Sequence, residues 1–355
     1  MTIQRYTTTL SLLFICLIPL FVSCTTDSIS ADIEVLKVID AFQKNEPIFA
    51  SNIVDQIEYI RLETSENSFL IGYPTVYTIN DTLILVKSHK RISLFNRLNG
   101  KFLKDIGNVS QDPEGYSYSL PSLGLDESNS LIFAKGWRSD LHQYSLSTGK
   151  LATKIPKPYL ASTSPDGYYA DGLTPSSYAI LDNQYIVAFL PNHSGNEKIR
   201  LVIYNFNGEI NKTFSNNQSY KNDKGMFASN SREGIFYNFN EKLFFKEFFS
   251  DTLFHVSLDT LKPKYYFDLE KHSPPYANRQ EALSESRAEY MFVLSIIEND
   301  EFLIFRLGFQ NRNHMAYYDK SSGTLHIANT SGTIWNGFEN DIDNFVSFFP
   351  EGINR

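Results

Sequence analysis

A unit of three short alternating strands recurs five times along this chain, and that repeat limits the fold more than any other feature. The first unit runs through residues 82–86, 92–95, an Asn99-Gly100 turn and 101–103. The second takes 131–133, 141–144, Thr148-Gly149 and 150–151, and the third takes 185–187, 201–204, Asn207-Gly208 and 209–210. The fourth takes 243–245, 252–256, a turn at Leu261-Lys262 and 265–267. The fifth takes 302–305, 315–318, Ser322-Gly323 and 324–325. The turns recur roughly every 50–60 residues. Asn-Gly is a strong hairpin signal, since both residues tolerate positive φ. Strand groups at this period predict the blades of an all-β propeller.

Composition supports the same class. The 355 residues include 28 Phe and 21 Tyr, side chains that suit strands. Blades pack face to face, so their strands need apolar groups on both sides. Pairs such as Phe244-Phe245 and Tyr317-Tyr318 meet that need. A chain that is 42% hydrophobic and 20% charged is globular, not mainly disordered. The net charge of −8 argues against nucleic acid as a partner.

Five units leave the two ends of the body unassigned. The alternating run 57–62 (Ile-Glu-Tyr-Ile-Arg-Leu) supplies one strand of a sixth blade, and segment 333–349 supplies others. Pairing the ends closes the ring and removes two sheet edges. Residues 275–297, after Pro274-Pro275, read as a helical insertion with Leu283, Ala288 and Met291 on one face, continuing towards Ile296.

Residues 1–23 read as a processing signal. Arg5 gives the positive start, and residues 10–22 are almost continuously apolar. That run is too short to span a bilayer, which takes about 20 residues, and fits a signal-peptide core. Ser23 and Cys24 follow. Phe21-Val22-Ser23-Cys24 resembles a bacterial lipobox, with Phe21 where the pattern has Leu. The resemblance implies that Cys24 becomes the acylated N-terminus. It also implies an outer-membrane lipoprotein of the bacterial envelope, periplasmic or surface-exposed. The expected organisation is a signal peptide at 1–23, a tether at 24–48 with a short helix, and a propeller at 49–355.

Three stretches carry a wider resemblance: 53–64 (IVDQIEYIRLET), 92–115 (ISLFNRLNGKFLKDIGNVSQDPEG) and 251–256 (DTLFHV). Over about residues 50–350 the chain resembles the six-bladed β-propeller lipoproteins of Bacteroidetes, relatives of the NHL-repeat propellers. The resemblance implies a six-bladed propeller whose last blade is shortened, because such proteins continue beyond a segment like Phe348-Phe349-Pro350. The glycine-rich loop of that family is altered here, with Asp112 in place of a Gly and Glu114-Gly115 in exchanged order.

Chemistry-bearing motifs are few. The seven histidines show no metal-ligand spacing, and no cysteine remains in the body beyond Cys24. There is no Gly-x-Ser-x-Gly and no phosphate-cradling loop. Loop carboxylates remain: Asp112, Glu114, Asp140, Asp166 and Asp171. Some propeller lactonases and lyases hold Ca²⁺ with such oxygen ligands at the channel mouth. Three loops combine aromatic and charged residues suited to sugars or peptides. The first holds Asp112, Glu114, Tyr116 and Tyr118. The second holds Trp137, Arg138 and Asp140. The third holds Tyr159, Tyr168, Tyr169, Asp171 and Tyr178. The favoured reading is a membrane-tethered binding or scaffold module for a glycan, a peptide or an envelope protein partner, such as a subunit of an uptake complex. The alternative is a Ca²⁺-dependent lactonase- or lyase-like enzyme.

Overall fold

In a computed structural model the described residues are 33–350, apart from 45, 71, 73, 79, 89–90, 118–123, 127–128, 139, 164–171, 223–232, 284–286 and 330–334. They begin with β1 (Glu34–Lys37) and α1 (Val38–Gln43). Blade 1 is β2 (Thr75–Thr78), β3 (Leu83–Ser88), β4 (Arg91–Asn96) and β5 (Phe102–Asp105). Blade 2 is β6 (Gly124–Asp126), β7 (Leu131–Lys135), β8 (Leu141–Ser145) and β9 (Leu151–Ile155). Blade 3 is β10 (Ser177–Leu181), β11 (Tyr185–Phe189), β12 (Ile199–Asn205) and β13 (Ile210–Ser215). Blade 4 is β14 (Gly234–Phe239), β15 (Lys242–Glu247), β16 (Thr252–Val256) and β17 (Leu261–Asp268), with β1 added parallel to β17. Blade 5 is β18 (Phe292–Glu298), β19 (Phe302–Phe309), β20 (Arg312–Asp319) and β21 (Thr324–Ile327), with β22 (Trp335–Asn336) parallel beside β20.

Successive strands within each blade are antiparallel hairpins. The first strands β6, β10, β14 and β18 touch in turn, so they form the inner wall. Burial follows position. Every residue of β10 is buried, whereas β13, an outer strand, alternates between exposed and half-buried.

Apolar layers join the blades. Leu94, Tyr116 and Tyr144 fill the space between blades 1 and 2, and Phe133, Tyr178 and Val202 fill that between blades 2 and 3. Phe189 meets Phe245 at 5.5 Å between blades 3 and 4, and Phe267 meets Phe305 edge-on at 5.1 Å between blades 4 and 5. Each such ring, fully withdrawn from water, contributes about 2–3 kcal/mol of burial, and aromatic pairing adds to it.

The structure corrects the six-bladed expectation: the described residues form a propeller of five blades. The two terminal segments build no sheet of their own among the described residues. They wedge between blades 5 and 1 instead. Ile53, Phe348 and Phe349 pack on blade 5, while Ile60, Leu62 and Leu70 pack on blade 1. Tyr59 and Phe345 meet edge-on at 5.7 Å between these groups. No strand is assigned to the 57–62 run, and the described part of the C-terminal segment contributes β22 and isolated bridges from Phe338 to Phe348 and from Glu339 to Phe49. Gly100 allows the close approach. A Cβ there would stand 1.9 Å from the Arg61 carbonyl oxygen, and its φ of +67° suits glycine.

Two further readings change. The run 292–298 is the inner strand of blade 5, and the described residues before it hold one short α-helix, α2 (Arg279–Ala282), flanked by 3-10 turns. Phe292, Val293, Ile296 and Ile297 are buried within the sheet. Residues 34–48, read as tether, lie against blades 4 and 5: Leu36, Val38, Ile39, Ala41 and Ile48 are all buried. No helix among the described residues is long and apolar enough to cross a membrane.

The two faces of the propeller differ. The glycine turns at 100, 149, 208 and 323, together with the first-to-second strand turns, all lie on one face. The other face carries the described parts of the long connections, including 106–117, 136–138, 156–163, 172–176, 190–198, 216–222, 269–283 and 287–291. Loops held on a rigid scaffold are where binding groups concentrate.

Candidate functional site

The long-loop face holds a cavity of about 280 Å³ where blade 2 meets the connection from blade 1. Gln111, Asp112, Pro113 and Gly115 line one side, and Trp137, Arg138, Asp140, His142 and Lys154 line the other. Both walls come from short-range backbone rules. The hairpin between β7 and β8 places Trp137, Arg138 and Asp140 at its tip, closed by Gly136 N–H donating to the Asp140 carbonyl at 2.8 Å. The facing loop is shaped by Ser110 and Asp112. The Ser110 hydroxyl donates to the Asp112 carboxylate at 2.7 Å and accepts the Asp112 N–H at 2.9 Å.

A chain of polar contacts links the walls. Asp140 Oδ2 lies 3.0 Å from His142 Nε2, and His142 Nδ1 lies 3.3 Å from the Tyr144 hydroxyl. Tyr144 donates to the Glu114 carbonyl at 2.6 Å, which ties this strand to the facing loop. Burial pushes the Tyr144 hydroxyl above its ordinary range, so it keeps the proton that this bond uses. Burial alone would raise the Asp140 carboxyl, but the hydrogen bond and charge of His142 outweigh it and hold the group below the usual range.

Trp137 is 40% exposed, yet its indole N–H donates to the Ser110 carbonyl at 2.5 Å. The ring is thereby tied to the opposite loop while one part stays open to solvent.

Of the residues singled out from sequence, Asp112, Trp137, Arg138 and Asp140 come together here. Glu114 contributes its backbone carbonyl, and its side chain is exposed outside the cavity lining. Tyr116 does not face a ligand. It is 1% exposed, packs edge-on against Tyr144 at 5.8 Å and accepts the Ile92 N–H at 3.1 Å, so it supports the loop from beneath. Tyr178 is likewise buried in β10, whereas Tyr159 is exposed. Tyr168, Tyr169, Asp171 and Cys24 lie outside the described residues. Among the described residues no three His, Cys, Asp or Glu side chains gather as ligands of an ion would, and Asp112 and Asp140 are the carboxylates lining the cavity.

Sequence reasoning missed Gly136, His142 and Lys154. The signal for His142 was present. Asp140, His142 and Tyr144 stand at i, i+2 and i+4, and strand alternation puts such residues on one face. Gly136 leaves the room they need: a Cβ there would come within 2.3 Å of Asp140 Oδ1 and 2.7 Å of His142 Nε2.

Comparison with known proteins agrees with the fold. A "putative exported protein" from Bacteroides fragilis has a crystal structure similar to this one, with a TM-score of 0.62 and 15% identity, covering 83% of this chain and 79% of that one. A member of the duf4221 family from Bacteroides vulgatus aligns with a TM-score of 0.49 and 11% identity, over 75% of this chain and 83% of that one. At such identities only the first likeness bears on the architecture. No curated protein matches the sequence significantly. Residues 33–355, which contain every blade and the cavity, match the family described as Domain of unknown function (DUF4934), and the chain belongs to that family.

Proposed function

We propose that this protein is a binding module of the bacterial envelope, anchored through Cys24 and taking its ligand or partner on the long-loop face at blade 2. The observation that carries the reading is the convergence of the 110–115 and 137–142 stretches over one cavity with a pinned, half-open tryptophan. Small-molecule sites combine such an aromatic wall with a few fixed polar groups. The leader ending at Ser23-Cys24 supports export and lipid anchoring. The name of the Bacteroides fragilis relative, an exported class, points the same way.

A thermal-shift screen against Ca²⁺, glycans and peptides tests this. A ligand that binds only the folded state raises the melting temperature. The expected result is a shift in the wild type that Trp137→Ala abolishes. A shift that survives Trp137→Ala moves the site elsewhere, and no shift with any class overturns ligand binding in favour of a purely scaffolding role.

A further inference from the structure

We infer that the blade 2 cavity takes a sugar ring. This rests on the binding-module reading and names its ligand class. Pyranose rings present two kinds of surface at once. One face of C–H groups is apolar enough to stack on an indole, and the rim of hydroxyls both donates and accepts hydrogen bonds. The cavity matches both. Trp137 offers a ring held in place by its bond to Ser110, so stacking on it orders no loose side chain. Around it stand acceptors, Asp112 and Asp140, and donors, Arg138 and Lys154, with Gln111 able to do either.

The two carboxylates are pre-set. Asp112 Oδ2 is engaged by Ser110 and Asp140 Oδ2 by His142, which fixes the direction of both groups. The lining holds both signs of charge, Asp112 and Asp140 against Arg138 and Lys154, so neither sign dominates it. That suits hydroxyl recognition better than capture of a strongly charged group. The volume, about 280 Å³, fits one ring of a longer glycan running across the open face.

The chain has two tryptophans, Trp137 and Trp335. Trp335→Phe therefore makes Trp137 the sole indole reporter. The variant is prepared from residue 32 onward, the part that forms a compact unit by itself. It is titrated with neutral, amino-sugar and uronic-acid oligosaccharides, and with short peptides. The expected result is a saturable change in Trp137 emission with at least one oligosaccharide class. Arg138→Ala and Asp140→Asn each weaken it about tenfold. The exposed Arg138 variant guards against a folding defect in the other. Saturation by peptides and not by sugars overturns the sugar assignment and keeps the binding module. No change with any probe overturns both.

Discussion

His142 Nε2 lies 3.0 Å from Asp140 Oδ2, with the imidazole buried and the carboxylate partly open to the cavity. The acid thus faces the cavity, and the histidine behind it fixes its direction. Gly136 is the residue that makes the pair possible, because a methyl group there would collide with both partners. Gly136→Ala is expected to lower stability by about 1–3 kcal/mol through forced displacement of the pair. It should also weaken any ligand that Asp140 contacts. Urea unfolding reads the first effect and titration of the cavity reads the second. Wild-type values for both would mean that the hairpin tip relaxes without cost.

Glu298, at the start of the turn between β18 and β19, is the hub of a second network. Lys264 and Lys320 each approach its Oε1 at 2.7 Å, and the hydroxyls of Tyr265 and Tyr237 donate to it at 2.9 and 2.8 Å. Burial works to raise this carboxyl, but the two ammonium groups and the Tyr237 hydroxyl prevail and hold it below its ordinary 4.5. The unfolded chain therefore takes up a proton at higher pH than the native one. The stabilisation is complete above about pH 4.5 and is lost as pH falls further. Glu298→Gln should cost about 3–5 kcal/mol at neutral pH, since it leaves two ammonium groups facing each other. It should also flatten the acid limb of a stability–pH curve. An acid limb unchanged in the variant would place the sensitivity in other carboxylates.

Lys246 behaves in the opposite sense. It is fully buried at the end of β15, donates to the Glu247 carbonyl at 2.8 Å and stands over the Phe267 ring. Burial, aided by Arg200, pushes its amine down to about 8 despite Asp251 and Glu247. Between about pH 8 and 10.5 the unfolded chain holds the extra proton, so stability rises with pH across that window. Lys246→Met should raise stability at pH 7, by about 3 kcal/mol at most, and remove this lysine's share of the alkaline rise. Denaturant melts at pH 7, 8, 9 and 10 compare the two chains. Parallel curves would show that the amine is solvated in the native state.

Arg279, in α2, ties the connection between blades 4 and 5 to the start of blade 4. Its guanidinium pairs with Glu233, both side chains being 0% exposed, and lies 4.6–5.2 Å from the rings of Phe249, Tyr276 and Tyr220. Arg279→Leu strands a buried carboxylate and should cost about 3–5 kcal/mol. Adding Glu233→Gln should recover part of that loss, because the second change removes the stranded charge. Hydrogen exchange should place the loosening in 269–291. A double variant no more stable than the single one would show that the rings, and not the charge pair, dominate.

The sequence disclosed strands two to four of every blade, because apolar second and third strands are followed in most blades by a tight glycine turn into the fourth. It did not disclose the inner strands. Thr75–Thr78 and Gly124–Asp126 are short and carry few apolar residues, so their pattern is too weak to read alone. Nor could alternation in 57–62 separate a paired strand from an unpaired cover. Ile60 and Leu62 bury the same side whether or not their backbone joins a sheet. At the site, Asp112, Trp137, Arg138 and Asp140 stood out by residue type, but their meeting depends on how the blade 1 connection folds over blade 2. Tyr116 misled for the same reason: an aromatic in a polar loop can face outward or prop the loop from below, and its burial decides.

Cys24 offers the last prediction. Ser23-Cys24 closes an apolar run too short to span a bilayer, so the thiol and not the run is the expected anchor. A single acyl chain binds a membrane marginally, whereas several chains on one cysteine hold it stably. Cys24→Ser should therefore move the protein from the membrane to the soluble fraction and abolish incorporation of labelled fatty acid. The propeller should keep its melting temperature, since the compact unit begins at Asp32. A serine variant that stays with the membrane would assign attachment to the propeller surface. The exposed Tyr59, Phe345 and Val346 at the seam between blades 5 and 1 would then be the first residues to replace.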